Sequence, residues 1–443
     1  MKKLLTIIMT ALTVFSASGV QAGTETVITP SVTLPGDYFG ASVDMAENVA
    51  IVGTSRENRS AFIFENENGS WTEKAVLTSG DGGNEYFSQH VAVSENFAAV
   101  SGYENGYGKI YIFQKPESGW RDMNETQILS LYQPEYEKTG VTDLAIHGNI
   151  LVTCIINSDF QGETLRSVHI YDYNGSEWIL SDTITLDNYG NRADIYKDHI
   201  IIGADCNPEA LALIYKRGEN GKWVQEAELI ADDMESTNPL TGYSARGLAI
   251  NDGVAIFGNI DSSVYIFEYN GSQWIQKQKL TEPKTFFYGY SVDITKSYAV
   301  VGSFRFSAST DNNHKLDIWE EVFLYKRQEN NLFEKIDKYL PLTPDQSVCY
   351  GRYVALSEEH LIVGHPFQVD HTNGLAIIYD LFALGDLDRD GCVGKNDAAI
   401  LRTFLNRPLI ECPECDLNGD GLITVLDARK LVTICTNANC ECP

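Results

Sequence analysis

Near the C-terminus, oxygen-bearing side chains recur at the spacing of a cation loop: Asp386, Asp388, Asp390 and Asp397 about Gly391, then Asp416, Asn418, Asp420 and Asp427 about Gly421. A hard dication such as calcium takes about six to eight oxygens at roughly 2.4 Å. In a twelve-residue loop they come from side chains at positions 1, 3, 5 and 12 and from the main-chain carbonyl at position 7, here Cys392 and Leu422. Glycine at position 6 permits the sharp turn. One acid-rich turn alone reads as a solvated surface loop. Two in-register copies 30 residues apart read as two Ca2+ sites. The carboxylates of each loop repel one another until a cation is bound, so this segment is expected to order with calcium.

Behind each loop, apolar residues follow at helical spacing: Ile400, Leu401, Phe404 and Leu405 after the first, Leu426, Leu431, Val432 and Ile434 after the second. These predict helices over 395–406 and 425–436, with no helix in front of either loop. Six of the nine cysteines crowd the same tail, at 392, 412, 415, 435, 440 and 442. In a small exported module they suggest up to three disulfides. The alternative is zinc held by Cys412, Cys415, Cys440 and Cys442, which the tight C-x-C spacing of the second pair disfavours. Because nine is odd, at least one thiol stays free or pairs between chains.

The chain opens Met1-Lys2-Lys3, continues apolar from Leu4 to Phe15 and reaches small residues ending at Ala22, the pattern of a signal peptide cleaved after Ala22. The mature protein is therefore expected to be exported, to the cell surface, the medium or the periplasm. No later stretch approaches the roughly 20 apolar residues of a membrane span. The formal net charge of -28, from 61 acidic against 33 basic residues, repels phosphate backbones and anionic lipid. Nucleic acid is not an expected partner.

Between Gly23 and Leu381 a unit of about 50 residues recurs. Val43-Asp-Met-Ala-Glu-Asn-Val-Ala-Ile-Val-Gly53 returns as Val292-Asp-Ile-Thr-Lys-Ser-Tyr-Ala-Val-Val-Gly302. Aligned on the last residue, the copies end at Gly53, Ser101, Cys154, Gly203, Gly258, Gly302 and Gly364. An alternating aromatic and aliphatic segment follows each, for example Ala61-Phe-Ile-Phe64 and Val264-Tyr-Ile-Phe267, and reads as half-buried strand. A turn then leads to a bulky aromatic in six copies, Trp71, Trp120, Trp178, Trp223, Trp274 and Phe333. Three of these turns carry Asn-Gly, at Asn68, Asn174 and Asn270, which predicts type I′ hairpins. Four short strands per copy and seven copies predict a mainly β chain, a seven-bladed β-propeller over 23–381, followed by a small α-helical calcium-binding module over 382–443. The last copy stops at Tyr379 without a fourth strand, so the orphan segment from Glu25 to Leu34 is expected to complete it.

The propeller motifs resemble FG-GAP repeats, the blade type of integrin-like propellers: Phe39-Gly40-Ala-Ser-Val43, Ala50-Ile-Val-Gly53, and the variants Tyr288-Gly289 and Tyr350-Gly351. Some members of that family bind calcium in Asp-rich blade turns. Here the corresponding turns, such as Ala46 to Asn48 and His147 to Asn149, are too short, which leaves metal binding to the tail. The tail, with Asp at position 12 and one helix after each loop, resembles a type I dockerin. That resemblance implies a cohesin-like module or surface scaffold as partner, contacted by Lys395, Asn396, Val425 and Leu426.

No Gly-x-Ser-x-Gly, His-Glu-x-x-His or phosphate-loop pattern is present. Asp44, Asp194 and Asp293 share one repeat position on the inner strand; they are read as acceptors for neighbouring backbone, with cation binding or acid–base chemistry as the alternative. His365, Asp370 and His371 make a thinkable metal trio but are read as exposed loop residues. The insertions 123–139 and 303–319, with Tyr132, Tyr136, Asp311 and Asp317, offer the easiest surfaces for a glycan or protein ligand. The expected function is a non-catalytic exported binding protein attached through its tail. The alternatives are a tethered enzyme acting on polysaccharide, and a tail that merely clamps the propeller.

Overall fold

The computed structural model describes residues 25–32, 36–55, 60–67, 69–80, 86–159, 161, 163–186, 189–204, 212–233, 247–259, 262–283, 285, 287–303, 320–341, 347–368, 374–382, 385–388, 393–409, 412, 415–418 and 421–435. The expected signal peptide and the acids at 311, 317 and 370 lie outside these residues, as do Leu34, His371, Cys206, Cys440 and Cys442.

Most strands assemble into four-stranded antiparallel units, the first of which gains a short parallel fifth strand, Met123–Asn124. The first runs Ser42–Ala46, Val49–Gly53, Ser60–Glu67 and Ser70–Thr78 in sequence order across the sheet. Sheets of the same order span 189–229, 248–281 and 291–339. The last one places Glu25–Ile28 beside Leu375–Asp380, pairing Glu25 with Tyr379 and Ile28 with Ala376. The N-terminal strand thus satisfies the edge that the C-terminal strand would otherwise expose.

Apolar cores lie between successive sheets. Ile51, Ile63 and Leu77 of the first sheet meet Val93, Val100 and Tyr111 of the second; Ala355, Ile362 and Ile378 of the last meet Val52, Phe62 and Trp71 of the first. The inner strands follow one another round a circle, and Val354–Leu356 packs back on Ser42–Ala46. This closed ring is a β-propeller. It also corrects the reading of half-buried strands. Ala61, Phe62, Ile63 and Phe64 are all buried, because a neighbouring sheet covers each face. The repeating aromatic wedges into the core on the preceding side, Trp178 against Phe97 and Trp223 against Ile170.

Why each copy ends in a small residue follows from the contacts. A Cβ on Gly302 would stand 2.0 Å from the carbonyl oxygen of Gly351 in the next sheet, and one on Gly364 would stand 2.2 Å from that of Gly40. The turn after each buried aromatic therefore rests on the end of the previous sheet. The Gly364–Gly40 contact does this across the closure.

Three local readings need correction. Asn174 and Asn270 do not take positive φ, and their loops are four residues long: Tyr173 pairs with Trp178 and Tyr269 with Trp274. Each asparagine Oδ1 accepts two backbone N–H bonds inside its own loop, at 2.9 and 3.0 Å, which holds the turn without the type I′ geometry. Trp120 is buried but outside any strand; the fourth strand of its sheet is Gln127–Ser130, drawn from the 123–139 insertion. The hairpin ending at Glu104 and Tyr107 reaches the next sheet, where Thr139 pairs with Tyr107 and Thr139 N–H donates to Gly106 O at 3.0 Å, fusing two sheets into one of eight strands.

Two helices follow, α1 (Lys395–Phe404) and α2 (Val425–Thr433). Both stop short of the expected ends. After α1 the chain turns extended at Leu405 and left-handed at Asn406, whose N–H donates to Ile423 O at 2.7 Å. The N–H of Ile434 closes α2 on Lys430 and Leu431. Leu401, Leu431, Val393 and Ile423 form a separate small core together with Cys412 and Cys415. Among the described residues no helix is long and apolar enough to cross a membrane.

Candidate functional site

In the first tail loop, carboxylate oxygens of Asp386, Asp388 and Asp397 converge within 4.8 Å of one another. Asp386 and Asp397 are buried. Asp397 is held from two sides: its Oδ1 accepts from Leu387 N at 2.6 Å and Asp388 N at 3.0 Å, its Oδ2 from Gly394 N at 2.6 Å. The acid in the first turn of α1 therefore also latches the loop. In the second loop Asp427 does the same, accepting from Asn418 N at 3.1 Å and Thr424 N at 2.7 Å, while Gly421 N donates to Asp416 Oδ2 at 2.7 Å.

The donor set is all oxygen and the first trio is already gathered, so the residues present fit a hard divalent cation. Asp386, Asp388 and Asp397 would hold one ion; Asp416, Asn418, Asp427 and the Leu422 carbonyl would contribute to a second. Asp390, Cys392 and Asp420 lie outside the described residues. Zinc at the cysteines is overturned for one half of its proposed ligands: Cys412 and Cys415 are joined as a disulfide, which leaves no thiolate for the metal. Cys435 is disulfide-bonded too, while Cys154 and Cys349 are free and buried.

Lys395 and Asn396 are exposed at the start of α1. Around α2 four apolar side chains are exposed, Leu422, Val425, Leu426 and Val432 at 62, 58, 49 and 62 % accessible, alongside the exposed Arg429 and Lys430. The two halves of the tail thus present different chemistry.

The propeller encloses an axial channel of about 690 Å³. Its lining is layered, because successive inward side chains of an inner strand sit two residues apart. At one level lie His90, Asp143, Arg192 and Tyr353; at the next, Asp44, Asp194 and Asp293 among alanines such as Ala145 and Ala249. Each of these three acids clips its sheet to the next by an Oδ2 that accepts a backbone N–H: Val93 to Asp44 at 2.7 Å, Ile250 to Asp194 at 2.8 Å, Leu356 to Asp293 at 2.6 Å. The acceptor reading is correct for all three. Asp143, one level away, was missed: it accepts from Ala193 N at 3.1 Å and faces Arg192 Nη1 at 3.4 Å. It escaped notice because it stands two residues off the shared repeat position.

Burial drives the carboxyls of Asp44, Asp194 and Asp293 up to about 7, 8 and 7, and their mutual repulsion adds to this. Burial and the nearby Arg192 push His90 down to about 3. His365 is fully buried rather than exposed, packs edge-on to Tyr350 and is lowered to about 4 by burial, which makes it part of the packed interior.

The FG-GAP repeat family matches residues 23–64. No curated protein sequence matches the chain. Among solved structures, the β-propeller domain of Cps50 (Swd1) from Myceliophteria thermophila is 10% identical, with a TM-score of 0.45, covering 81% of this chain and 99% of that one. The computationally designed Ika8 protein is 10% identical with a TM-score of 0.43, over 78% and 98%. A 6-phosphogluconolactonase described as putative, from Bacteroides uniformis, is 12% identical with a TM-score of 0.46, over 69% and 87%. The ring is a β-propeller, and its first sheet carries an FG-GAP repeat.

Proposed function

We propose that this chain is an exported, non-catalytic binding protein: a seven-bladed propeller supplies a recognition face, and a calcium-dependent dockerin-like tail attaches it to a cohesin-like module or surface scaffold. The observation that carries this reading is the convergence of Asp386, Asp388 and Asp397 within 4.8 Å at the mouth of α1. With calcium in both loops, α1 and α2 hold a fixed relation and the tail presents one rigid surface. The exposed Leu422, Val425, Leu426 and Val432 supply the apolar part of that surface, and Lys395 and Asn396 the polar part. A panel of immobilised cohesin modules tests the docking. Capture of the full chain in calcium, released by chelator, is expected; capture indifferent to chelator, or none from the whole panel, contradicts it.

A second reading is a propeller enzyme acting on polysaccharide. It is favoured by Asp44, Asp194 and Asp293, whose carboxyls titrate near neutrality in a channel. Against it, each uses its Oδ2 to accept a backbone N–H that clips two sheets together. Polysaccharide turnover abolished by Asp194→Asn without loss of fold decides for the enzyme.

A further inference from the structure

A cavity of about 480 Å³ opens where the two fused sheets meet. That volume lies within the roughly 300–1,000 Å³ of small-molecule sites. Its walls are Tyr86, Gln89, Ser101, Tyr103, Gly140 and Val141. Among the described residues none of the lining side chains carries a charge, in a protein with 94 ionisable acids and bases (61 and 33).

Tyr86 is 52 % exposed and its ring lies 6.4 Å from that of Tyr103, at an interplanar angle of 75°. The aromatic strip continues outward along the fusion: Tyr107 packs 4.7 Å from Tyr132, which is 57 % exposed. Polar groups converge beside these rings. Ser101 Oγ accepts from His90 N at 2.9 Å and keeps its own O–H to donate; the Gln89 carboxamide, which also lines the axial channel, makes no hydrogen bond among the described residues. The floor at Gly140 is open, with nothing within 4 Å of where a Cβ would stand.

We infer that this cavity is a binding site for a neutral glycan. Aromatic faces take the C–H faces of a sugar ring, and amide and hydroxyl groups beside them take its hydroxyls. A concave cavity suits a ring better than an extended peptide, whose recognition needs a sheet edge or a row of flat aromatic ridges. The fusion of the two sheets builds the site. The inference gives the propeller of the proposed binding protein its ligand class, and it stands whether or not the tail docks.

Titration calorimetry of the full chain with cellohexaose, xylohexaose and mannohexaose tests it, with hexagalacturonate as the acidic control and a decaproline as the peptide control. At least one neutral oligosaccharide is expected to bind. Tyr86→Ala removes an exposed ring, and Gly140→Leu fills open space at an ordinary backbone conformation; each is expected to weaken binding about tenfold or more with the melting temperature unchanged. Chelator should leave the affinity unaltered, which separates this site from the tail. No neutral binding up to roughly 10 mM overturns the inference, as does tighter binding of either control. Affinity left within about twofold by either variant overturns it as well.

Discussion

At the scale of single residues, the channel acids make the clearest prediction. Asp194 has a folded pKa of about 8, raised first by burial and then by Asp293, against about 3.9 in the unfolded chain. A group whose folded pKa is raised favours the fold below its unfolded pKa and loses that contribution as pH climbs through the folded one. Between about pH 4 and 8, Asp194 should therefore progressively cost stability. Asp194→Asn keeps an oxygen to accept from Ile250 N–H and removes the charge. The variant should match the parent near pH 4 and exceed it near pH 8, by about 1–3 kcal/mol after allowance for water in the channel. Paired thermal melts across that range measure it, and parallel curves refute it. In the tail, Asp397 both gathers with Asp386 and Asp388 and latches Leu387 and Gly394. Asp397→Ala should reduce calcium stoichiometry by one in a titration, leaving the second loop loaded.

At the scale of elements, sheet contacts rest on residues without side chains. Gly364→Ala places a methyl 2.2 Å from the Gly40 carbonyl across the closure, at a backbone angle any residue adopts. It should destabilise the propeller by about 1–3 kcal/mol, read from the urea midpoint. Gly140→Ala, facing open space, should change it by less than about 0.5 kcal/mol. The strands were legible because alternation and a terminal glycine recur in phase. The turns were less so: an asparagine can supply positive φ or an internal side-chain acceptor, and Asn174 and Asn270 do the latter. Trp120 kept its place in the core although its strand moved to Gln127–Ser130, since burial fixes the indole while the Pro116–Gly119 turn displaces the chain. The fusion at Thr139 and the cavity beside it depend on where a hairpin tip lands, which no periodicity encodes.

At the scale of the whole molecule, the propeller and the tail have separate sources of order, and the proposed calcium sites belong to the tail alone. Among the described residues the propeller's cores contain no residue of the tail except Phe382, which packs beside Tyr298. The tail has its own core and at least the Cys412–Cys415 disulfide. Calcium should therefore shift one thermal transition and leave the other in place. The repeats made the ring legible, and the doubled loop placed Asp386, Asp388 and Asp397 together before the fold showed them gathered. The difference between the polar start of α1 and the apolar start of α2 was visible as Lys395-Asn396 against Val425-Leu426, but the exposure of Leu422 and Val432 beside them required the fold. Calcium titration of the chelator-stripped full chain, followed by calorimetry, is the most direct test of the attachment reading. The account predicts two ions bound per chain and a rise in the tail's melting temperature alone. Absence of stoichiometric calcium binding, with the tail transition unmoved, would contradict it.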